Sequence, residues 1–249
     1  MSGAPPMAEW TAVRLPSLSV FLPCHNEALN LRRVVDNFRA ELPKVADRYE
    51  IIVVDDGSRD QTGQIADQLA TADSHLRVVH HSVNRGYGGA VTSGLSAARM
   101  AWVLLCDGDG QFDAAQIARL VAQTPGADVV VGRRIRRADP LMRQVNGKAW
   151  TMLVGLLFGL RLHDIDCGFK LFRREFIESL DLRSQGAMIS TELMVKVGAR
   201  RARIVEVEVD HLPRLAGEQS GASLKVIARA FGELFRLYRQ LRNTRPPEQ

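Results

Sequence analysis

Short apolar runs alternate with helix-spaced stretches through the first half of the chain. The runs are Leu18–Leu22, Glu50–Val54, Leu76–His80, Ala101–Cys106 and Ala127–Val131. They are mostly continuous rather than alternating, the pattern of strands buried on both faces. Helical patterns begin near Glu27, Gln61, Gly88 and Ala114. This alternation predicts an α/β fold, a mostly parallel sheet flanked by helices. Ligands of such sheets bind beyond the carboxyl ends of the strands. A polar cluster follows each of the first four runs: Pro23–Glu27, Asp55–Asp60, Asn84–Gly89 and Asp107–Gln111.

The second half is less regular. A basic segment, Arg133–Arg143, leads into an apolar helix, Ala149–Leu160, and then Asp164–Arg174. A helix is expected around Thr191–Arg200 and a strand over Ile204–Asp210. Pro213–Ser223, with Gly217, Ser220 and Gly221, reads as a flexible loop. The last helix, about Leu224 to Arg242, puts Leu224, Ile227, Ala228, Phe231, Leu234, Phe235, Tyr238 and Leu241 on one stripe with cationic flanks. It suits packing on its own domain and contact with a membrane surface equally. The run at 149–160 suits a core helix or a membrane interface, being too short to span a bilayer. We divide the chain into a loose tail, 1–17, a domain over 18–223 in two halves, 18–132 and 133–223, and an amphipathic helix and tail, 224–249.

Charge sharpens the division. Residues 1–132 carry a net −4 and residues 133–249 a net +9, within a total of +5. The second half therefore faces an anionic ligand or carries a solvated basic surface. It lacks the interleaved aromatic platform of a nucleic-acid binder. Cys24, Cys106 and Cys167 lie far apart with no C-x-x-C spacing, which argues against a disulfide framework or zinc site and fits a reducing cytoplasm. His25, His80, His81, His163 and His211 show no metal-ligand spacing, and structural roles are expected for them.

The acidic cluster Asp107-Gly108-Asp109-Gly110-Gln111 carries the strongest chemical signal. Two carboxylates separated by one glycine repel each other unless a cation lies between them. A hard divalent ion, Mg²⁺ or Mn²⁺, takes such oxygen ligands and can also grip a diphosphate.

Taken in order, LPCHNE (Leu22–Glu27), VVDDGSRDQT (Val53–Thr62), NRGYGGA (Asn84–Ala90), CDGDGQF (Cys106–Phe112), VVGRR (Val130–Arg134) and DIDCGFKLFRR (Asp164–Arg174) resemble the signatures of family 2 glycosyltransferases. The later motifs are similar to the branch containing dolichol-phosphate mannose synthase and bacterial polyprenyl-phosphate sugar transferases. The resemblance spans about residues 18–223. It implies a GT-A (Rossmann-like) fold, a nucleoside-diphosphate sugar donor (GDP-mannose or a UDP-hexose), a divalent metal and inversion at the anomeric carbon.

It also implies roles. Asp56 is the expected nucleobase contact, with Pro23, Asn26 and Glu27 forming the other wall. By its position alone Glu27 also reads as a first-turn helix acid. Asp107 is assigned to ribose or metal, and Asp109 and Gln111 to metal. The helix start after NRGYGGA could favour a phosphate. Arg134 matches an acceptor-phosphate arginine and Arg143 approximates a second, although the serine expected four residues on is Gly147. Arg214 resembles the arginine of a loop that closes over the donor, and Ser220-Gly221 stands where that loop usually ends in Ser-Lys. Asp164 and Glu192 are expected to organise the acceptor cleft; a helix cap and a surface helix acid are the plainer readings. The expected enzyme is an inverting hexosyltransferase acting on a polyprenyl phosphate as a peripheral protein at the cytoplasmic membrane face, with or without a membrane partner. Transfer to a soluble hydroxyl acceptor, and a non-catalytic nucleotide-sugar or lipid-binding module, are the alternatives.

Overall fold

A computed structural model describes residues 13–137, 141–214 and 224–244. Among these, seven strands form one sheet in the order β3-β2-β1-β4-β6-β5-β7. β1 (Leu18–Cys24), β2 (Tyr49–Asp55), β3 (Leu76–His80) and β4 (Trp102–Cys106) are parallel, as their continuous apolar runs require. Within β1 and β2 alternate residues face opposite layers. Val20, Leu22, Ile51 and Val53 join one core with Leu31, Val35, Phe38 and Leu42 of α1 (Ala28–Val45). Phe21, Ile52 and Val54 join the other core, with Val91 of α3 (Tyr87–Ala97) and Leu193 of α6 (Met188–Ala199). Gly94 lets α3 settle on the Phe21 ring. α2 (Thr62–Ala72) covers β2 and β3, and a short α4 (Ile117–Val121) follows the acidic cluster.

The second half departs from its expected outline in three places. β5 (Val129–Arg137) runs well past Val131, because pairing with β7 (Ile204–His211) carries the basic residues into the sheet as far as a bulge after Arg134. α5 (Leu141–Phe158) starts eight residues before the apolar run does. Phe169–Arg173, to which the pattern assigns no strand, is β6, antiparallel to both β4 and β5. Its second residue, Lys170, is fully buried and donates to the Cys167 carbonyl. A lysine at a core position conceals the strand.

Ahead of β1 the chain is tied down from residue 13: Leu15 is buried and donates to the Val45 carbonyl, and Arg14 pairs with Asp47. The loose tail expected to reach Ser17 is to that extent shorter; residues 1–12 lie outside the described residues. α7 (Leu224–Thr244) packs on the domain through Leu234 and Leu237, with Phe231 edge-on to Trp150 and Tyr238 to Phe158. Residues 215–223 of the expected loop, and the side chains of Leu224, Ile227, Ala228 and Arg242, lie outside the described residues. No described helix is long and apolar enough to cross a membrane.

Candidate active site

The topology gathers the chemistry on one edge. β1 to β4 end there, and so do β5 and β7, which run the same way. β6 runs against them, so its beginning, the loop Asp164–Gly168, meets the same edge. Pro23, Asn26, Glu27, Asp56, Asp107, Asp109, Gln111, Arg134, Asp164 and Arg214 therefore share it. The exception is Glu192, in the middle of α6.

Asp107 sits in the middle of this edge. Its Oδ1 accepts the Tyr87 hydroxyl at 2.7 Å, and its backbone N–H donates to the Gly168 carbonyl at 3.1 Å. Gly168 lies so close that a Cβ there would occupy the Asp107 carboxylate. Burial, then repulsion from Asp109, pushes the Asp107 carboxyl up to about 6, against the pull of Tyr87, Lys170 and Arg134. Asp109 accepts the Gln111 N–H at 3.1 Å. The Gln111 amide nitrogen donates to the Leu212 carbonyl at 3.0 Å, and its amide oxygen is an acceptor. Two mutually repelling carboxylates and an amide oxygen fit a hard divalent ion completed by phosphate oxygens. Among the described residues no cluster of three His, Cys, Asp or Glu makes an all-protein metal cage.

Among the residues expected to meet the donor, Asp56 ends up buried beside His81, whose Nδ1 is 2.6 Å from Oδ1. Asn26, in a left-handed conformation at φ 57°, accepts the Arg59 N–H and donates its own N–H to Ser58. Glu27 accepts from Asn30 at 2.7 Å and pairs with Arg214. Burial pushes its carboxyl up, and Asn30 and Arg214 draw it back only in part. The start of α3 is not open as the glycine loop suggests. The Gly88 N–H donates to the Gln185 carbonyl, and Gly86 and Gly88 lie against the backbone of residues 184–185.

Arg134 and Asp164 form a buried two-point ion pair, Nε and Nη2 each 2.7 Å from a carboxylate oxygen. Burial works against the guanidinium's charge, yet Asp164 holds its pKa above the ordinary range. Arg143 lies in α5 and Gly147 one turn on; the Arg143 side chain is outside the described residues. The Glu192 carboxylate accepts the N–H of Arg183 and Ser184 at 2.8–3.1 Å and the Lys196 ammonium at 2.6 Å. Burial pushes its pKa up, but these donors hold it below the usual range. It therefore anchors the segment that covers Gly86 and Gly88, rather than facing Asp107.

Four contributors escaped the sequence reading. Tyr87 and Gly168 lie inside quoted motifs, but only their neighbours drew attention. Lys170 supplies a buried cation near Asp107, Asp164 and Asp166; burial lowers its pKa and those carboxylates raise it. His81 gave no spacing signal. The three cysteines are free and buried in one core, with Cys167 pushed up to about 12 by burial, so none is poised as a thiolate.

A family model described as "Glycosyl transferase family 2" matches residues 19–181. The glycosyltransferase AglD of Haloferax volcanii is 35% identical over 209 residues, covering 79% of this chain but 33% of its own length. This chain thus spans a third of that relative. The polyprenol monophosphomannose synthase of Mycolicibacterium smegmatis is 32% identical over 221 residues, 83% of this chain and 82% of that protein. In fold, the chain is similar to the glucosyl-3-phosphoglycerate synthase of Mycobacterium tuberculosis, solved with Mn²⁺ and UDP-glucose. The TM-score is 0.66 at 23% identity, over 97% of this chain and 82% of that one. The expected fold, the sheet with its polar rim and the ordered motifs thus agree with one assignment: this chain belongs to the family 2 glycosyltransferases, with the GT-A architecture.

Proposed function

We propose that the protein transfers a sugar from a nucleoside-diphosphate sugar to a polyprenyl phosphate, with inversion, at the cytoplasmic face of a membrane. The observation that carries this reading is the adjacency of opposite charges on one edge: the carboxylates at the end of β4, and Arg134 at the end of β5 close enough to lower the Asp107 pKa. The first side suits a metal–diphosphate and the second an acceptor phosphate. The name of the M. smegmatis relative agrees with this acceptor class.

Asp107, Asp109 and Gln111 would hold Mg²⁺ or Mn²⁺, which supplies positive charge to the departing diphosphate when bound. Arg134, oriented by Asp164, would hold the acceptor phosphate. One of its oxygens bonds to the anomeric carbon as the bond from that carbon to the diphosphate oxygen breaks, and the diphosphate leaves with the electron pair. A phosphate monoester has a second pKa of about 6, so at neutral pH no proton need be removed. A hydroxyl acceptor would need a carboxylate base. Asp164 is committed to Arg134 and Glu192 to three donors, which favours the phosphate acceptor.

The apolar exterior supports a peripheral site of action. Met142, Val145, Met152 and Leu156 recur at helical spacing along α5 and are exposed, Leu156 by 83%, with Phe231 and Phe235 of α7 also exposed. Purified protein with Mn²⁺, a panel of nucleotide sugars and short-chain polyprenyl phosphates, read by mass spectrometry, tests the reading. A sugar-phospholipid product that disappears in chelator is expected. Transfer to a hydroxyl acceptor alone would overturn it.

A further inference from the structure

Three groups hold Asp56. Its own N–H donates to the Cys24 carbonyl at the end of β1. Its Oδ1 accepts the Arg85 N–H at 2.8 Å and lies 2.6 Å from Nδ1 of His81, just past β3. The His81 ring is fixed at its far end, Nε2 lying 2.8 Å from Ser93 Oγ of α3, and its backbone N–H donates to the Asp55 carbonyl at 2.9 Å. The His81 and Asp56 side chains are only 2% and 4% exposed. A carboxylate only accepts, so Nδ1 carries the proton. Oδ1 thus takes two donors. Oδ2 has no hydrogen-bond partner among the described residues, and it is not sealed from solvent.

We propose that His81 and the Arg85 N–H set the nucleobase preference of the donor cleft by leaving Asp56 a single free carboxylate oxygen, which selects uracil over guanine. This rests on the reading that Asp56 meets the donor's base. Uracil offers one ring N–H between two carbonyls. Guanine offers two adjacent donors, the ring N–H and the exocyclic amine, which a carboxylate with both oxygens free would accept together. With Oδ1 filled, one guanine donor goes without its partner, a loss of about tenfold to a hundredfold in affinity. Cytosine and adenine present no ring N–H on that edge and are disfavoured further. His81 acts through Asp56 and is a positioning residue.

Calorimetric titration of the full chain with UDP, GDP and inorganic pyrophosphate in Mn²⁺ tests the proposal. UDP is expected to bind at least about tenfold tighter than GDP. His81→Leu frees one lone pair of Oδ1 and should bring the UDP/GDP ratio toward one, with pyrophosphate affinity unchanged. His81→Asn keeps an N–H donor in place of Nδ1 and should preserve the ratio. Ser93→Ala, which leaves Asp56 and His81 in place, should lower it in part even where the leucine variant folds poorly. GDP binding as tightly as UDP, or a ratio unmoved in His81→Leu and Ser93→Ala alike, overturns the inference. Sugar transfer from a GDP-linked donor in preference to a UDP-linked one would overturn it and leave the glycosyl-transfer reading intact. Binding of pyrophosphate with neither nucleotide adding affinity would remove the base contact on which it stands.

Discussion

Arg214 reaches across 187 residues of sequence to pair with Glu27 at the strand-end edge. Both side chains are largely buried, and Asp109 is close enough to Glu27 to push its carboxyl further up. The arginine expected to close over the donor is therefore held on a carboxylate. The Gln111 backbone and side chain both bond to Leu212, two residues before Arg214, which ties this arginine's strand end to the acidic cluster.

If Glu27 competes with diphosphate for Arg214, Glu27→Gln should raise pyrophosphate affinity severalfold, by the order of 1 kcal/mol. In an Arg214→Ala background the same change should do nothing. Calorimetry on the four proteins of this double-mutant cycle gives the answer; equal effects in both backgrounds would show that the pair is not a competitor.

Cation binding should depend on pH through Asp107. Its carboxyl sits at about 6 because of burial and Asp109, and a divalent ion needs it ionised. Mn²⁺ affinity should hold above this value and fall as pH drops through it, about tenfold between pH 7 and pH 5. The Tyr87 hydrogen bond lowers this pKa, so Tyr87→Phe should shift the profile to higher pH. Electron paramagnetic resonance of free Mn²⁺ reads both effects, and a flat profile would contradict them.

Gly168→Ala should damage the metal site more than the fold. The added methyl collides with the Asp107 carboxylate, an overpacking cost of about 1–3 kcal/mol that is relieved by moving Asp107. A modest drop in melting temperature with a large loss of Mn²⁺ affinity is expected; unchanged metal binding would refute the contact.

Glu192 and Asp164 should separate by phenotype. Glu192→Ala strands the Arg183 and Ser184 N–H groups and the buried Lys196 ammonium, destabilising the protein by about 3 kcal/mol. Glu192→Gln, still able to accept, should recover much of that. Asp164→Asn should leave donor affinity alone and raise the acceptor KM, because Arg134 loses the partner that orients it. Steady-state kinetics beside thermal melts distinguish the two. Complete loss of turnover in both amide variants, with folding intact, would restore a side-chain base to the chemistry.

Much of this was legible where the signal is local. β1 to β4 are mostly apolar runs, so their limits fall within two residues of expectation, and their strand-end clusters are contiguous. Asp107, Asp109 and Gln111 were legible because five consecutive residues carry the whole idea. The rest depended on distance along the chain. Asp164 and Arg134 meet over 30 residues and Glu27 and Arg214 over 187, so neither could be seen to be spoken for. Glu192 reads as an organiser of the acceptor cleft, or more plainly as a surface helix acid, because two of its three partners are backbone N–H groups, which no residue type advertises. β6 stayed hidden behind Lys170, since a charged side chain within a core strand breaks the rule by which strands are found.

The reversed direction of β6 has an evolutionary side. Because it enters the sheet head-first between β4 and β5, the turn that begins it, rather than one that ends it, lies on the edge with the other strand-end clusters. That turn and α5 before it can be rewritten without disturbing β1 to β4. A lineage built on this plan is free to change what receives its sugar while inheriting, unaltered, the machinery that delivers it.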